Sequence, residues 1–323
     1  MPAAIEASLD DHFLREMPGP ECATFFPLGF PLELSTNSEA VMAAARQSWG
    51  NFPAGEAGAP LSLSLTVTEH DDEGLPPAPK FRTQGHLMSI VADPRNQVIC
   101  DFSRGCAFGW VTRRVAEHTD FLRFHFLEAP AMTMLVAAHF APIHGAFVTR
   151  NGTGVVLCGD SLAGKSTLAY ACARNGWTFV TDDGAYILRK RSGLHAVGNP
   201  YSARFREHAK SLFPELEKCR FTSKLNGAPG LEIPTSELPV TTASGGAIDH
   251  LVFLRRANRY RAASMEPFDG ARALAWLEQE VLFGPDDVRA SLRQTYRRLV
   301  DAAGLWELHY SDLADAVRLL EQL

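Results

Sequence analysis

Val155-Val156-Leu157-Cys158-Gly159-Asp160-Ser161-Leu162-Ala163-Gly164-Lys165-Ser166-Thr167 decides the fold of this chain. An apolar strand, a Gly-bounded loop and a helix start follow one another directly, and Gly159 to Ser166 fit G-x-x-x-x-G-K-[ST]. The turn Asn151-Gly152-Thr153-Gly154 precedes the β-formers, and helix formers run from Ser166 to Arg174 until Asn175-Gly176 stops them. The pattern predicts a phosphate-binding loop made of Gly159, Asp160, Ser161, Leu162, Ala163, Gly164, Lys165, Ser166 and Thr167. Gly159 and Gly164 let backbone N–H groups turn inward without a Cβ clash, and the helix N-terminus behind them adds roughly half a positive charge. Lys165 is placed to neutralise β- and γ-phosphate oxygens, and the Ser166 hydroxyl to ligate a magnesium ion that bridges them. Arginine would not replace Lys165, because the loop wraps a compact ammonium.

Just downstream, Trp177-Thr178-Phe179-Val180 reads as a buried strand ending in Thr181-Asp182-Asp183. In parallel-strand nucleotide folds the ligand lies beyond strand C-termini, so these two carboxylates are expected to face phosphates and metal. Upstream, Ile143 to Thr149 reads as one strand that forms a hairpin with Val155 to Leu157 through Asn151-Gly152. Tyr186 to Arg189 reads as a strand edge, Asn199 to Glu217 as mixed loop and helix, and Leu251 to Leu254 as a strand ending in Arg255-Arg256. The tail is expected to form helices from about Gly270 to Leu282 and from Pro285 to Ala303. A short strand from Leu305 to His309 and a helix N-capped from Ser311 follow.

Before the loop the periodicity changes. Leu61-Ser62-Leu63-Ser64-Leu65-Thr66-Val67-Thr68 alternates with period two, ahead of a polar, Pro-rich loop from Asp71 to Lys80. Further β-like runs occupy His86 to Val91, Gln97 to Phe102, Cys106 to Thr112 and Leu122 to Leu127. An antiparallel, β-rich lobe over residues 1–127 is therefore expected, with a ragged first 60 residues broken only by a helix from Ser38 to Ser48. A buried helix from Glu128 to about Ala141 would open a second, nucleotide-binding domain over residues 128–323. The expected fold class is α/β.

Composition narrows the partners. The chain has 323 residues and a formal charge of −6, and no Lys/Arg block exceeds Arg189-Lys190-Arg191, so nucleic acid is not an expected partner. Glu and Asp throughout Met1 to Pro18 argue against a secretory or transit leader. The apolar run from Ala129 to Phe147 is broken by Pro130, His139, Pro142 and His144, which argues against a membrane span. Six cysteines without a C-x-x-C pair suit a reducing cytoplasm and suggest neither a zinc site nor a disulfide framework.

His144-Gly145-Ala146-Phe147-Val148, Gly159-Asp160-Ser161 with Gly164-Lys165-Ser166, Gly176-Trp177 and Asp182-Asp183 together resemble the catalytic domain of HPr kinase/phosphorylase. About 45 residues carry the likeness strongly, and residues 140–260 carry it loosely. The lobe before them is unlike that family's N-terminal domain and more similar to HPr-kinase-related bacterial proteins with a β-rich extension. The resemblance implies a P-loop fold of the HPr kinase and phosphoenolpyruvate carboxykinase type, with ATP and Mg2+ as cofactors. It also implies a hydroxyl acceptor in a protein, peptide or small metabolite. The family has Gly at the position of Leu162 and Glu at that of Thr167, and its downstream HPr-engaging signature is not found here, so the phosphoacceptor is not specified.

By that resemblance Asp182 is the base toward the acceptor hydroxyl and Asp183, with Ser166, the magnesium ligand, while His144 and Lys165 lie beside the transferred phosphate. Each has a plainer reading as well: a polar strand end for the aspartates, a satisfied histidine at a strand start for His144. Arg204, Arg206, Lys224, Arg255 and Arg256 are candidates for a second phosphate cation or for solvated surface charge. His139 is read as packing or capping. The function expected is an ATP-dependent hydroxyl kinase. A nucleotide-dependent switch or ATPase, and a degenerate ATP-binding protein without turnover, remain alternatives, and homo-oligomer formation is left open.

Overall fold

The computed structural model describes residues 21–55, 58–69, 74–218, 222–223, 229–256, 262–280 and 284–323. The acidic start, the first three residues of the loop expected from Asp71, the end of the helix expected to reach Leu282, and Lys224 lie outside the described residues. The chain divides into two compact units, one of Met1–Arg82 and Ser89–Ala131, the other of Thr83–Met88 and Met132–Leu323.

The N-terminal strands are β1 (Glu21–Phe25), β2 (Leu32–Thr36), β3 (Leu61–Thr68), β4 (Lys80–Gln84), β5 (Leu87–Asp93), β6 (Asn96–Asp101) and β7 (Cys106–Thr112). They form one sheet in the order β1-β2-β3-β7-β6-β5-β4. Period-two alternation works as read in β3: Leu61, Leu63 and Leu65 are buried while Ser62 is exposed. Each such leucine contributes roughly 2 kcal/mol of burial. The sheet is not wholly antiparallel, because β2 pairs parallel with β3 and β3 parallel with β7. Helix α1 (Glu39–Trp49) is the cause of the first departure: it carries the chain back so that β3 starts at the same end as β2. It buries Val41, Met42, Ala44, Ala45 and Trp49, with the Trp49 ring 5.7 Å from that of Phe25. The helix expected from Ser38 to Ser48 thus forms as α1, and two strands precede it where a ragged stretch was expected.

Leu122 to Leu127, expected as a strand, is helical. The chain passes from a helical turn, Thr119–Leu122, into a π-helix over Arg123–Glu128. The run holds no Val, Ile or Thr, and its buried pairs, Phe121 with Phe126 and Leu122 with Leu127, lie five apart. That spacing suits the wide i→i+5 turn rather than alternation. Helix α2 (Ala129–Ala138) follows and stops short of Ala141, since Phe140–Ile143 is β8.

The second unit adds β9 (Ala146–Arg150), β10 (Thr153–Cys158), α3 (Lys165–Arg174), β11 (Thr178–Thr181), β12 (Ala185–Leu188), β13 (His195–Val197) and β14 (Ser202–Phe205). Next come β15 (Thr222–Ser223), β16 (Pro229–Pro234), β17 (Thr241–Thr242), β18 (Gly245–Ala247), β19 (His250–Arg256) and β20 (Ser264–Pro267). The tail holds α4 (Gly270–Leu277), α5 (Asp286–Ala302), β21 (Gly304–Tyr310) and α6 (Leu313–Leu320). The central sheet has the order β17-β11-β9-β10-β19-β21-β20; smaller sheets are β18-β13-β12-β8 and β14-β16-β15. The chain is thus a mixed α/β protein. The cap of α6 is Asp312 rather than Ser311: its carboxylate accepts from the Ala314 and Asp315 amides at 2.8 and 3.1 Å.

The β9–β10 hairpin forms as read, with Val155 opposite Val148. The strand read from Ile143 to Thr149 is broken, however, since Ile143 pairs with Ala185 in the four-stranded sheet while Ala146 begins β9 in the central one. Gly145 makes that crossing possible, because a Cβ there would stand 2.8 Å from the Leu157 carbonyl oxygen. His144 is left between two sheets. Strand β10 buries both faces: Val155 and Leu157 pack on the side of α3 and α6, Val156 and Cys158 on the side of α4 and α5.

Candidate functional site

Direction in the central sheet builds the site. Strand β10 is parallel to β19, and β19 to β21, while β9 is antiparallel to both β10 and β11. The C-terminal ends of β10, β11, β19 and β21 therefore share one edge. That edge collects the Gly159–Thr167 segment, Asp182-Asp183, Arg255-Arg256 and Tyr310, where a ligand is expected in such sheets.

The loop turns sharply at Gly159, φ 141°, and Gly164, φ 98°. Gly164 is the N-cap of α3, and a Cβ on it would lie 2.4 Å from the Tyr310 hydroxyl. Having no side chain, it leaves the first-turn N–H groups of α3 to an outside acceptor. Lys165 is 7% exposed and folds back over the loop, its Nζ donating to the Gly159 carbonyl at 2.7 Å and the Asp160 carbonyl at 3.1 Å. Asp160 and Ser161 are exposed, and Ala163 half-buried. Leu162 is 68% exposed at φ 74°, a left-handed conformation that favours glycine. The Ser166 hydroxyl donates to the Asp182 backbone carbonyl at 3.3 Å, so the start of α3 is tied to the end of β11. Thr167, half-buried in the first turn, makes no contact that sets it apart.

The adjacent aspartates differ in environment. Asp182 is 5% exposed, and its Oδ2 accepts the Arg204 backbone amide at 3.0 Å. Burial first, and then repulsion from Asp183, push its carboxyl up to about 7, against the opposing pull of Arg204. Asp183 has its side chain 56% exposed and meets His144 Nδ1 at 3.5 Å and the Arg204 guanidinium at 4.0 Å. The structure thus brings His144, Asp182, Asp183 and Arg204 together, and sets Arg204 on Glu232 at 3.4 Å.

Of the other cations, Arg255 pairs with Glu307 at 3.0 Å and lies 3.8 Å from Asp160. Glu307 also receives His309 at 3.2 Å. Arg256 lies over the Tyr310 ring, 5.7 Å from its centroid. Arg206 is exposed beyond β14. His139 stands outside this group, and burial, with Lys190 and Arg189 nearby, pushes its imidazole down to about 4. One contributor, Tyr310, was not read from the sequence, and Arg204, read as a candidate cation, acts through its backbone as well. Tyr310 donates to the Ala163 carbonyl at 3.0 Å and pins the loop, and the Arg204 amide holds Asp182. The only signal for Tyr310 was its place at the end of a predicted strand.

The chemistry of this donor set fits a nucleotide phosphate chain: an ammonium at the loop, the amides at a helix N-terminus and a hydroxyl on the first turn. No group of three or more His, Cys, Asp or Glu able to hold a metal occurs among the described residues. Magnesium, which takes one or two protein oxygens and completes its shell with water and phosphate, would draw here on the Ser166 hydroxyl and the Asp183 carboxylate. No helix among the described residues is long and apolar enough to cross a membrane.

No protein-family model matches the chain, and no curated protein matches it. Among solved structures it is similar to the HPr(Ser) kinase/phosphatase from Coxiella burnetii, at 11% identity. That match spans 56% of this chain and 95% of the other, with a TM-score of 0.29. At that score the likeness carries no functional argument, which rests instead on the loop and the carboxylates.

Proposed function

We propose that this protein is an ATP-dependent kinase, related in mechanism to HPr kinase, that transfers the γ-phosphoryl group to a serine-like hydroxyl. The observation that carries this reading is Asp182. It is a buried carboxyl that titrates near neutral pH, at the end of the strand next to the loop bearing Lys165 and Ser166. A base matched to the working pH is what abstraction from a hydroxyl needs, and a carboxyl at the ordinary value near 4 would serve less well.

In this reading Gly159 to Thr167 cradle the phosphates through backbone amides, and Lys165 neutralises their charge. Ser166 and Asp183 would hold Mg2+, which when bound supplies charge neutralisation across the phosphate oxygens. Asp182 accepts the acceptor hydroxyl proton at a carboxylate oxygen, while the Arg204 amide keeps the carboxyl oriented. Arg204 spans both carboxylates through backbone and side chain, which makes it the first choice among the candidate cations. His144, paired to Asp183, orients that carboxylate and adds a donor at the phosphate edge.

The test is transfer from ATP to candidate acceptors, with the wild type compared with Asp182→Asn. Transfer should fall by about two orders of magnitude while ATP affinity stays within a few-fold. Wild-type transfer by Asp182→Asn would remove the base. Hydrolysis without transfer to any peptide, serine or metabolite pool would favour the switch or ATPase reading.

A further inference from the structure

Strand β19 ends in Arg255-Arg256, and its parallel pairing with β21 sets Arg255 opposite His309 and Arg256 opposite Tyr310. The two arginines meet different surroundings. Arg255 pairs with Glu307 at 3.0 Å and lies 3.8 Å from Asp160, so carboxylates offset its charge. Arg204, at the aspartates, is offset likewise by Glu232 at 3.4 Å and Asp183 at 4.0 Å. Arg256 is exposed, and among the described residues no carboxylate pairs with it.

Its contacts lead to the loop. The guanidinium hydrogen-bonds the Tyr310 hydroxyl and lies over that ring, 5.7 Å from the centroid. Tyr310 is buried and donates onward to the Ala163 carbonyl at 3.0 Å. Gly164 is the N-cap of α3, and a Cβ on it would stand 3.3 Å from Arg256 Nη2 and 3.5 Å from its Nε. The guanidinium therefore rests against the residue that opens α3, held there by a buried ring. In the sheet β19 is next to β10, and β11 is two strands away on the other side, roughly 5 and 10 Å respectively. An anion cradled at the end of β10 is thereby flanked by Asp182, Asp183 and Arg204 from the β11 side and by Arg256 from the β19 side.

We propose that Arg256 is a phosphate-binding residue: its guanidinium donates to non-bridging oxygens of the phosphate chain held by the loop, on the side away from Asp182. Charge balance favours this position. On the β11 side Arg204 already faces two carboxylates, and Lys165 is turned onto the Gly159 and Asp160 carbonyls. Arg256 brings to the same edge a charge that no described carboxylate offsets, and its planar fork can meet two phosphate oxygens at once. Arg204 keeps its place beside the aspartates. The inference rests on the phosphate-binding part of the kinase reading and not on transfer to a hydroxyl.

Calorimetric titration of inorganic tripolyphosphate and of ATP, each with Mg2+, into wild type, Arg256→Gln and Arg256→Lys tests the assignment. Gln keeps a donor for the Tyr310 hydroxyl and removes the charge, whereas Lys keeps the charge and loses the fork. Arg256→Gln should weaken both ligands about tenfold or more, and Arg256→Lys only a few-fold. The thermal midpoint of the nucleotide-free protein should stay in place in both variants, because the side chain is exposed. Wild-type affinity in Arg256→Gln overturns the proposal and leaves the kinase reading standing. A loss for ATP without one for tripolyphosphate also overturns it, by placing Arg256 on the nucleoside. Affinity kept by Gln and lost by Lys, or a midpoint lowered in both, would make Arg256 a strut for Tyr310 instead. A wild type that binds both ligands but phosphorylates no acceptor would keep Arg256 and refute the kinase; a wild type that binds neither refutes both.

Discussion

Replacing Asp182 with Asn should change how stability depends on pH, and the size of the effect follows from its burial. An unfolded Asp titrates at about 4, and in the fold burial and Asp183 raise it to about 7. The folded state therefore binds the proton more tightly than the unfolded state between those two values. By linkage, the stabilisation is fully present below the unfolded value and is lost as pH rises through the folded one. Three pH units at 1.36 kcal/mol each set a ceiling of about 4 kcal/mol for a single group. Asn keeps an oxygen for the Arg204 amide but cannot ionise. Urea unfolding of the nucleotide-free protein at pH 5 and pH 8, a window that takes in about two of those three units, should show the wild type losing up to about 2.6 kcal/mol more than Asp182→Asn between them. At pH 8 the variant should be the more stable. Parallel pH profiles for the two proteins would refute a buried, neutral-range carboxyl and the base assignment with it.

Asp183→Asn should raise the magnesium concentration needed for half-maximal nucleotide binding and leave urea stability within about 1 kcal/mol, because Asp183 is half-exposed and its partners are solvated. An unchanged magnesium requirement would remove Asp183 from the metal. Gly164→Ala puts a methyl 2.4 Å from the Tyr310 hydroxyl at φ 98°, so the loop must shift. ATP affinity should drop at least tenfold, read by calorimetry, with the thermal midpoint lowered as well. Wild-type affinity would show that the Tyr310 contact does not set the loop.

The strand, loop and helix around Gly159 to Ser166 were legible because each signal is local: β-formers, two glycines, Lys-Ser and helix formers within 20 residues. The Asp182-Asp183 pair was legible for the same reason, as carboxylates at the end of an apolar run. What was not legible depends on partners distant in sequence. Parallel pairing of β2 with β3 depends on where α1 deposits the chain, and alternation alone does not encode it. The π-helix at Arg123–Glu128 was misread because Phe-rich runs suit a strand or a buried helix equally well until burial shows a spacing of five. His144 could be named, but its position between two sheets came from a close approach at Gly145 to Leu157. Tyr310 reaches the site from 147 residues away in sequence, and Arg204, named only as one of five candidate cations, was set apart from the others by its amide contact to Asp182, 22 residues away.

The central claim is that the loop headed by Lys165 binds ATP with magnesium, and isothermal titration of ATP and Mg2+ into wild type and Lys165→Ala tests it most directly. Lys165 Nζ rests on the Gly159 and Asp160 carbonyls, so its removal withdraws the positive charge that in the proposed reading would meet the phosphates. Binding in the wild type that falls by tenfold or more in Lys165→Ala, on the scale of a lost charge-assisted contact, is the predicted result. Equal affinity in the two proteins, or no ATP binding by the wild type, would contradict it.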